Sequence, residues 1–201
     1  MTINHLIFDL GNTLLDFDLR KASGPISKSL GVPENRQFQY LFQSDYFMQF
    51  ENGDIGPDEL VCWLNSKFDG DITLSQFDRL FSPIFTPRPE ALSILERCKG
   101  NYELSLLSNT NILHSRYIEA SYPFISLFDH LFYSHALRAL KPNPEIFLEV
   151  LSRTHSVPEE CLFIDDVLKH VEGARKAGID AIHFQGEALL EKELKDRGVL
   201  V

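Results

Sequence analysis

The sequence is poor in cysteine and has no long apolar run, and both absences narrow what the protein can be. Its three cysteines, Cys62, Cys98 and Cys161, are widely spaced and form no CxxC pair. This pattern indicates neither a zinc site nor a disulfide framework, whereas free thiols among apolar residues fit a reducing compartment. No apolar stretch approaches the roughly 20 residues that a membrane span needs, and Asp9 interrupts the first one. We therefore expect a cytoplasmic protein without a leader or a membrane partner.

Basic residues are also scarce. The chain has 19 lysines and arginines against 29 aspartates and glutamates, which gives a formal net charge of -10. Such a surface repels phosphate backbones, so nucleic acid is not an expected partner, although a locally acidic pocket would attract a divalent cation. With 44% hydrophobic and 24% charged residues in 201, the chain can bury a core as one domain with a modest insertion. The sequence says little about assembly, and we expect a monomer or a weak dimer.

Short apolar segments bounded by polar or turn residues predict five buried strands, at 5–8, 104–107, 130–133, 161–164 and 181–184. Between the last four strands, apolar residues at helical spacing predict helices at 111–121, 144–154 and 168–177. Strands that alternate with helices form parallel sheets with helices on both faces. The sequence therefore predicts an α/β fold in which helices flank a parallel sheet.

The stretch between the first two predicted strands is too long for a simple crossover. Apolar positions at helical spacing predict helices there over 37–50, 57–67 and 75–83, separated by the turn-rich stretches ENGDIGP and FDGDIT. We expect an all-helical insertion at 17–86, in a core formed by residues 1–16 and 87–201. Its motion should be gated at the two crossings, near 16–19 and 86–89.

Four of the predicted strands lead into polar residues of the kinds that phosphate chemistry uses. In chain order these residues are Asp9, the pair Ser108 and Asn109, Lys141, and the pair Asp165 and Asp166. Each alone has an ordinary alternative, since such residues also cap helices or lie solvated on the surface. In an open parallel sheet, however, ligands bind at the carboxyl ends of the strands. Taken together, these residues predict a single site at that edge.

The charges of this predicted site indicate a metal. Three carboxylates placed close together disfavour joint ionisation, and a hard divalent cation relieves that repulsion. Mg²⁺ binds one or two carboxylates together with waters and substrate phosphate oxygens. Ser108 and Lys141 would then supply a hydrogen bond and a positive charge to a phosphate, and Asp9 becomes a candidate nucleophile.

Four stretches resemble the sequence motifs of the haloacid dehalogenase superfamily. They are FDLGNTLL, LLSNTN, KPNPEIF and FIDDVLKHVEGARKAG, in the family's order and at ordinary spacing along the whole chain. The resemblance implies a Rossmann-like core. It also implies that the insertion after the first strand is a small helical cap. The FDLGN stretch is similar to the phosphatase branch whose first motif reads Asp-Leu-Gly-Asn.

The resemblance also implies a role for each motif residue. Asp9 would be the nucleophile and a metal ligand, and Lys141 would neutralise its charge and that of the transferring phosphoryl group. The remaining assignments are the phosphate-binding residues Ser108 and Asn109, and the Mg²⁺ ligands Gly11 (backbone carbonyl), Asp166 and Asp165, the last directly or through water.

Gly11 departs from the pattern of most phosphatases of this superfamily, which carry a second aspartate at that position. That aspartate protonates the leaving oxygen and later activates water, and a glycine does neither. Either Asp16 or Asp18 could replace it as the acid and base, although both are also suited to solvated or helix-capping roles. Alternatively, the substrate has a good leaving group, such as an anomeric sugar phosphate, or the protein binds phosphorylated ligands with little or no turnover.

The absence of that aspartate also permits a 2-haloacid dehalogenase, because a halide leaves without a proton. The paired Asp165 and Asp166 argue against this alternative, since such dehalogenases need no metal and the extra carboxylates would repel a haloacid anion. We therefore predict a Mg²⁺-dependent phosphomonoester hydrolase. Its substrate would be a small phosphorylated metabolite, for example a sugar phosphate, and its intermediate an aspartyl phosphate on Asp9.

Overall fold

Five parallel strands form the central sheet of the structure, a computed structural model that describes residues 2–201 (for Gln37, the backbone only). The sheet contains β1 (His5–Phe8), β4 (Glu103–Ser108), β5 (His130–Tyr133), β6 (Cys161–Asp165) and β7 (Asp180–His183), in the order β5-β4-β1-β6-β7. Two further strands, β2 (Leu15–Phe17) and β3 (Phe85–Pro87), pair with each other outside it. All four residues of β1 are buried, as expected for a central strand covered on both faces.

Helices cover both faces of the sheet. They are α6 (Pro89–Cys98), α7 (Ile112–Ser121), α8 (Ser134–Leu137), α9 (Pro144–Thr154), α10 (Leu168–Lys176) and α11 (Glu187–Asp196). Because side chains of a strand alternate between faces, Leu6 and Phe8 pack in the cluster with α6 and α11, whereas Ile7 packs in the cluster with α9 and α10. The predicted α/β fold, with helices flanking a parallel sheet, is confirmed.

Five helices lie between β2 and β3: α1 (Arg20–Leu30), α2 (Glu34–Phe42), α3 (Asp45–Asn52), α4 (Pro57–Phe68) and α5 (Leu74–Phe81). They share a buried cluster of their own, rich in phenylalanine, which Leu113 of α7 also joins. Within residues 2–201, no helix is both long and apolar enough to cross a membrane. The insertion is thus helical, as the sequence predicts, and it contacts the sheet domain through α7.

The prediction of one helix over 37–50 is wrong, because two helices occupy that stretch. Helix α2 ends at Phe42, and Ser44 begins α3 by accepting a hydrogen bond from the Phe47 amide at 3.1 Å. A serine that pairs its hydroxyl with a backbone amide at this position competes with continuation of the helix. The sequence analysis also predicted neither α1, which contains Pro25, nor the β2–β3 ribbon.

The ribbon marks the two crossings between the insertion and the sheet domain. Asp16 of β2 pairs with Thr86 of β3, and Asp16 accepts a 2.7 Å hydrogen bond from Arg88. Arg88 also donates to Glu187 at the start of α11. The guanidinium group therefore ties both crossings to the C-terminal helix.

Helix α3 is seated directly on α8 of the sheet domain. Gly53 ends α3 at a φ of 78°, and a Cβ built there would lie 2.1 Å from the His135 carbonyl oxygen. Beside it, the Ser134 hydroxyl donates to the Glu51 carbonyl at 2.7 Å. A residue with a side chain would not fit at Gly53, so the close approach of the two backbones depends on glycine.

Gly53→Ala should separate α3 from α8, because its methyl group would overlap the His135 carbonyl. Gly31→Ala is the matched control, since Gly31 also ends a helix at positive φ but has nothing within 4 Å of a built Cβ. Both variants carry left-handed strain of roughly 1–2 kcal/mol. Only Gly53→Ala should speed amide hydrogen exchange across 45–54 and 133–138. Equal exchange in the two variants would contradict a seated α3.

Candidate active site

A cavity of about 340 Å³ lies at the carboxyl ends of β1, β4 and β6. The sheet domain contributes polar groups to its wall, including Asp9, Ser108 and Asp166. The insertion and the ribbon contribute mostly apolar side chains: Phe17, Leu19, Phe42, Phe47, Met48, Ile84 and Phe85. The cavity is therefore charged on the sheet side and apolar on the side of the insertion, as expected for a ligand with one ionic and one less polar end.

Asp9 is a buried carboxylate at the end of the central strand. Its amide donates to the Ile164 carbonyl at 2.8 Å, which continues the pairing of β1 with β6 and fixes the direction of its side chain. Burial raises the pKa of Asp9 to about 7, and the neighbouring Asp165 and Asp166 add to this effect, while Lys141 opposes it. The side chain lies in the cavity beside the Lys141 ammonium group, 2.5 Å from it.

Lys141 is buried, and all three of its ammonium protons have acceptors. The acceptors are Asp9 Oδ1 at 2.5 Å, Asp165 Oδ2 at 2.6 Å and the Leu107 carbonyl at 2.9 Å. Burial alone would lower the pKa of Lys141, but the two carboxylates more than offset it and hold that pKa above its ordinary value. The lysine therefore stays charged and joins groups from three neighbouring strands.

Asn109 holds the loop that carries Lys141. Its Oδ1 accepts from the Lys141 amide at 2.9 Å, and its Nδ2 donates to the Lys141 carbonyl at 3.0 Å. Asn109 lines the cavity, as does Ser108, the buried last residue of β4. In the described part of the chain the Ser108 hydroxyl has no hydrogen-bond partner, so it is available to a ligand, whereas most of the Asn109 amide group is committed.

Asp165 and Asp166 follow one another at the end of β6 but have different surroundings. Asp165 accepts from Lys141, from the Val167 amide at 2.8 Å and from His170 Nδ1, which lies 3.0 Å from both of its oxygens. Burial would raise the pKa of Asp165, yet Lys141 and His170 keep it below its ordinary value. Asp166 instead faces the cavity, where burial and the charge of Asp165 raise its pKa.

The three carboxylates suit a hard divalent cation. One oxygen from each of Asp9, Asp165 and Asp166 lies within 4.8 Å of the others. A single lysine does not balance three acids, and oxygen donors of this kind match Mg²⁺. The backbone of Gly11 lines the same part of the cavity. The residues predicted to bind metal are thus brought together, and their chemistry fits the ion.

The structure does not bring Asp16 or Asp18 to the cavity. Asp16 is half exposed and forms the ion pair with Arg88. Asp18 accepts from the Arg20 amide at 2.9 Å, at the start of α1. Asp16 is therefore a solvated surface residue, and Asp18 bonds the backbone at the start of α1, so neither is an acid beside Asp9.

An aromatic ring occupies the space beside Gly11. A Cβ built on Gly11 would lie 3.0 Å from Phe17 Cε1 and 3.3 Å from Phe17 Cδ1. Such contacts are tighter than ordinary packing, so the ring would have to shift by a few tenths of an ångström to admit a side chain at position 11. The ribbon residue Phe17 therefore lies against the place where an aspartate side chain would begin.

Three titratable residues that line the cavity, Glu51, His114 and His170, were not predicted from the sequence as site residues. His170 lies four residues after Asp166 on the adjoining helix, and this spacing was a usable signal. Glu51 of α3 also lines the cavity, but the helix predicted over 37–50 stops just before it. No periodicity in the insertion indicates which of its side chains face the sheet domain.

Comparisons with known proteins agree on one family. The sequence model of the family of haloacid dehalogenase-like hydrolases matches residues 3–178. A D-ribitol-5-phosphate phosphatase from Bacteroides thetaiotaomicron is 26% identical, over 96% of this chain and 97% of its own length.

Two solved structures extend the comparison. A family enzyme from the same organism, in complex with magnesium and inorganic phosphate, is 25% identical with a TM-score of 0.78, over 90% of this chain and 93% of its own. The L-2-haloacid dehalogenase from Xanthobacter autotrophicus shares the fold at 18% identity, with a TM-score of 0.65 over 100% of this chain and 85% of its own.

Lys141→Met should destabilise the protein strongly above neutral pH, because it leaves two buried carboxylates without a cation. We expect a loss of about 3–5 kcal/mol in the free energy of unfolding near pH 8. The loss should shrink near pH 5. In the variant the folded-state pKa values of Asp9 and Asp165 lie above those of the unfolded chain, so stability falls as pH rises through them.

The measurement is urea unfolding in EDTA, with Lys99→Met as the matched control. Lys99 also pairs with an aspartate, Asp129, at 2.5 Å, but this pair is exposed. Removing it should cost no more than about 1 kcal/mol. A loss in Lys141→Met that is no larger, or that does not change with pH, would contradict the role given to the buried lysine.

Proposed function

The chain belongs to the haloacid dehalogenase-like hydrolases, and we propose that it is a Mg²⁺-dependent phosphomonoester hydrolase acting on a small phosphorylated metabolite. The observation that carries the proposal is the cluster of buried Asp9, Lys141 and Asp165 with half-buried Asp166 at the sheet end of the cavity. The names of relatives support it, since the D-ribitol-5-phosphate phosphatase matches along nearly its whole length. A sugar or polyol phosphate is therefore a reasonable first substrate class.

Asp9, Asp166 and the Gly11 carbonyl would hold the Mg²⁺ ion. Asp165 would take part through a water, because both of its oxygens already accept hydrogen bonds. When bound, the ion supplies positive charge that orients the phosphate and offsets the charge that develops on it.

In the proposed reaction, Asp9 attacks phosphorus and forms an aspartyl phosphate while the bond to the leaving oxygen breaks. Lys141 favours the ionised form of Asp9 before attack and stabilises charge on the transferring group. The free Ser108 hydroxyl donates to a non-bridging phosphate oxygen. Asn109 positions Lys141 through its two bonds to that residue's backbone. Water then attacks phosphorus, which releases inorganic phosphate and regenerates the Asp9 carboxylate.

We assign residues 17–86 as the cap that covers the substrate, over a core of residues 1–16 and 87–201. The separate apolar cluster of α1–α5 and the paired crossings of β2 and β3 support this division. The apolar cavity wall supplied by the cap would contact the leaving group. A lid of this kind excludes water and selects substrates.

We also propose a cytoplasmic location, with a monomer or weak dimer as the working form. The three cysteines are free thiols, two of them buried, which suits a reducing compartment. The excess of acidic residues disfavours nucleic acid as a partner.

Asp9→Asn should abolish turnover of p-nitrophenyl phosphate and of a panel of sugar phosphates, because the amide is a poor nucleophile. Wild-type activity should require Mg²⁺ and disappear in EDTA. Asp16→Asn is the matched control, since Asp16 lies on the following ribbon but outside the cavity, and it should retain most activity. The measurement is phosphate release with and without metal.

Other outcomes would replace the proposal. Metal-independent chloride release from 2-chloropropionate would indicate a dehalogenase, which the glycine at position 11 permits. Saturable binding of phosphorylated ligands with no turnover would indicate a binding protein. Activity that survives Asp9→Asn would exclude the aspartyl phosphate.

A further inference from the structure

Glu51 belongs to the part of the cavity wall that the insertion supplies. It lies on α3, near the end of the helix, and lines the same cavity as Asp9, Ser108 and Asp166. Within the described residues its carboxyl group has no hydrogen bond and no ion pair. Glu51 is half-buried, and a carboxyl group in a cavity wall that has no partner of its own is free to act on a ligand there.

The surroundings of Glu51 are apolar. Phe42, Phe47 and Met48 line the same wall of the cavity. Burial is the cause that raises the pKa of Glu51, to about 7. The titratable groups that share the cavity or lie on the adjoining α8 are Asp9, His114, Asp166, His170 and His135. The carboxyl group can therefore gain or lose a proton near neutral pH.

The backbone at Glu51 is held in place by the sheet domain. Its carbonyl accepts from the Ser134 hydroxyl at 2.7 Å, and that hydroxyl accepts from the Thr110 amide at 2.9 Å. Thr110 lies two residues after Ser108. Two hydrogen bonds thus join the Glu51 backbone to the loop that follows the proposed phosphate-binding serine, with Gly53 packed beside them.

The other nearby titratable groups are committed elsewhere. Both ring nitrogens of His114 are paired, Nδ1 with Asn111 at 3.1 Å and Nε2 with the Phe81 carbonyl at 3.2 Å. His170 Nδ1 is held on Asp165. Asp16 and Asp18 lie outside the cavity, and the ring of Phe17 fills the space beside Gly11.

We propose that Glu51 is the general acid and base of the reaction, delivered by the cap in place of a side chain at position 11. This inference rests on the proposed phosphatase function. In-line displacement requires an acid on the side of phosphorus away from Asp9. A group on the cap side of the cavity meets that requirement.

The proton moves once in each half of the reaction. As Asp9 attacks phosphorus, the bond to the leaving oxygen breaks, and the Glu51 proton is transferred to that oxygen, which releases the alcohol. Water then enters from the same side and attacks the phosphorus of the aspartyl phosphate. Its proton goes to the Glu51 carboxylate as the bond from phosphorus to Asp9 breaks. The products are alcohol and inorganic phosphate, and Glu51 is protonated again.

Glu51→Gln should lower the rate of alkyl phosphate hydrolysis by about 10²-fold or more, because the leaving oxygen of these substrates needs a proton. With p-nitrophenyl phosphate, whose leaving group needs little protonation, the first turnover should stay within about threefold of wild type. Later turnovers should be slow, because dephosphorylation has lost its base. Rapid mixing should therefore show a burst of about one equivalent of p-nitrophenolate per enzyme, together with trapped phosphoenzyme.

Glu59→Gln is the matched control, because it makes the same change at an exposed position of the same insertion. It should leave both substrates unaffected and show no burst. The pH dependence offers a second measurement. Because the pKa of Glu51 is higher in the folded chain than in the unfolded chain, the contribution of this residue to wild-type stability falls as pH rises from about 5 to about 8. Glu51→Gln should therefore have a higher melting temperature than wild type near pH 8 only.

Three results would overturn the role of Glu51. They are an equal slowing of alkyl and aryl substrates without a burst, unchanged kinetics in Glu51→Gln, or leaving-group dependence that appears in His170→Gln instead. Any of these, with wild type active and Asp9→Asn inactive, would leave the phosphatase function standing. Inactivity of wild type on every phosphate would instead refute the proposed function itself.

Discussion

The hydrogen bonds of the Lys141 ammonium group hold together the carboxyl edge of the sheet, where the candidate site lies. These three hydrogen bonds reach the Asp9 carboxylate after β1, the Asp165 carboxylate of β6 and the Leu107 carbonyl of β4. Two acids could not both remain ionised at this depth without a buried cation. The same bonds therefore set the charge of the site and the relative positions of three strand ends. Asn109 extends this arrangement by holding the Lys141 backbone.

The sheet domain and the insertion supply different kinds of group to the cavity. The sheet domain supplies charge through Asp9 and Asp166, which directly follow strands, and through Lys141, whose loop Asn109 holds. The insertion supplies apolar contact and one half-buried acidic residue, Glu51. Lys141 and Asp165 are held by several hydrogen bonds each, whereas the apolar wall depends on packing. The first half is suited to a constant phosphate and the second to a leaving group that differs between substrates.

The sheet and its charged edge could be predicted from the sequence because both depend on local pattern. Buried parallel strands are continuous apolar runs, and the polar residue after each run must lie at the carboxyl edge. This reasoning located Asp9, Ser108, Lys141 and Asp166. The insertion was harder, because helical spacing identifies a buried face without showing what it packs against. A serine cap divided one predicted helix, and Glu51 and the ring beside Gly11 depend on how α3 and β2 fold back onto the sheet domain.

The Ser134 hydroxyl, which contacts the end of α3, is shared between two acceptors. A hydroxyl has one proton, yet two carbonyls compete for this one, Glu51 at 2.7 Å and Thr110 at 2.9 Å. If the Glu51 carbonyl were withdrawn, the proton could rotate fully onto Thr110, so the buried donor would keep a partner. The contact of α3 with Ser134 is therefore worth less than a hydrogen bond whose donor has a single acceptor.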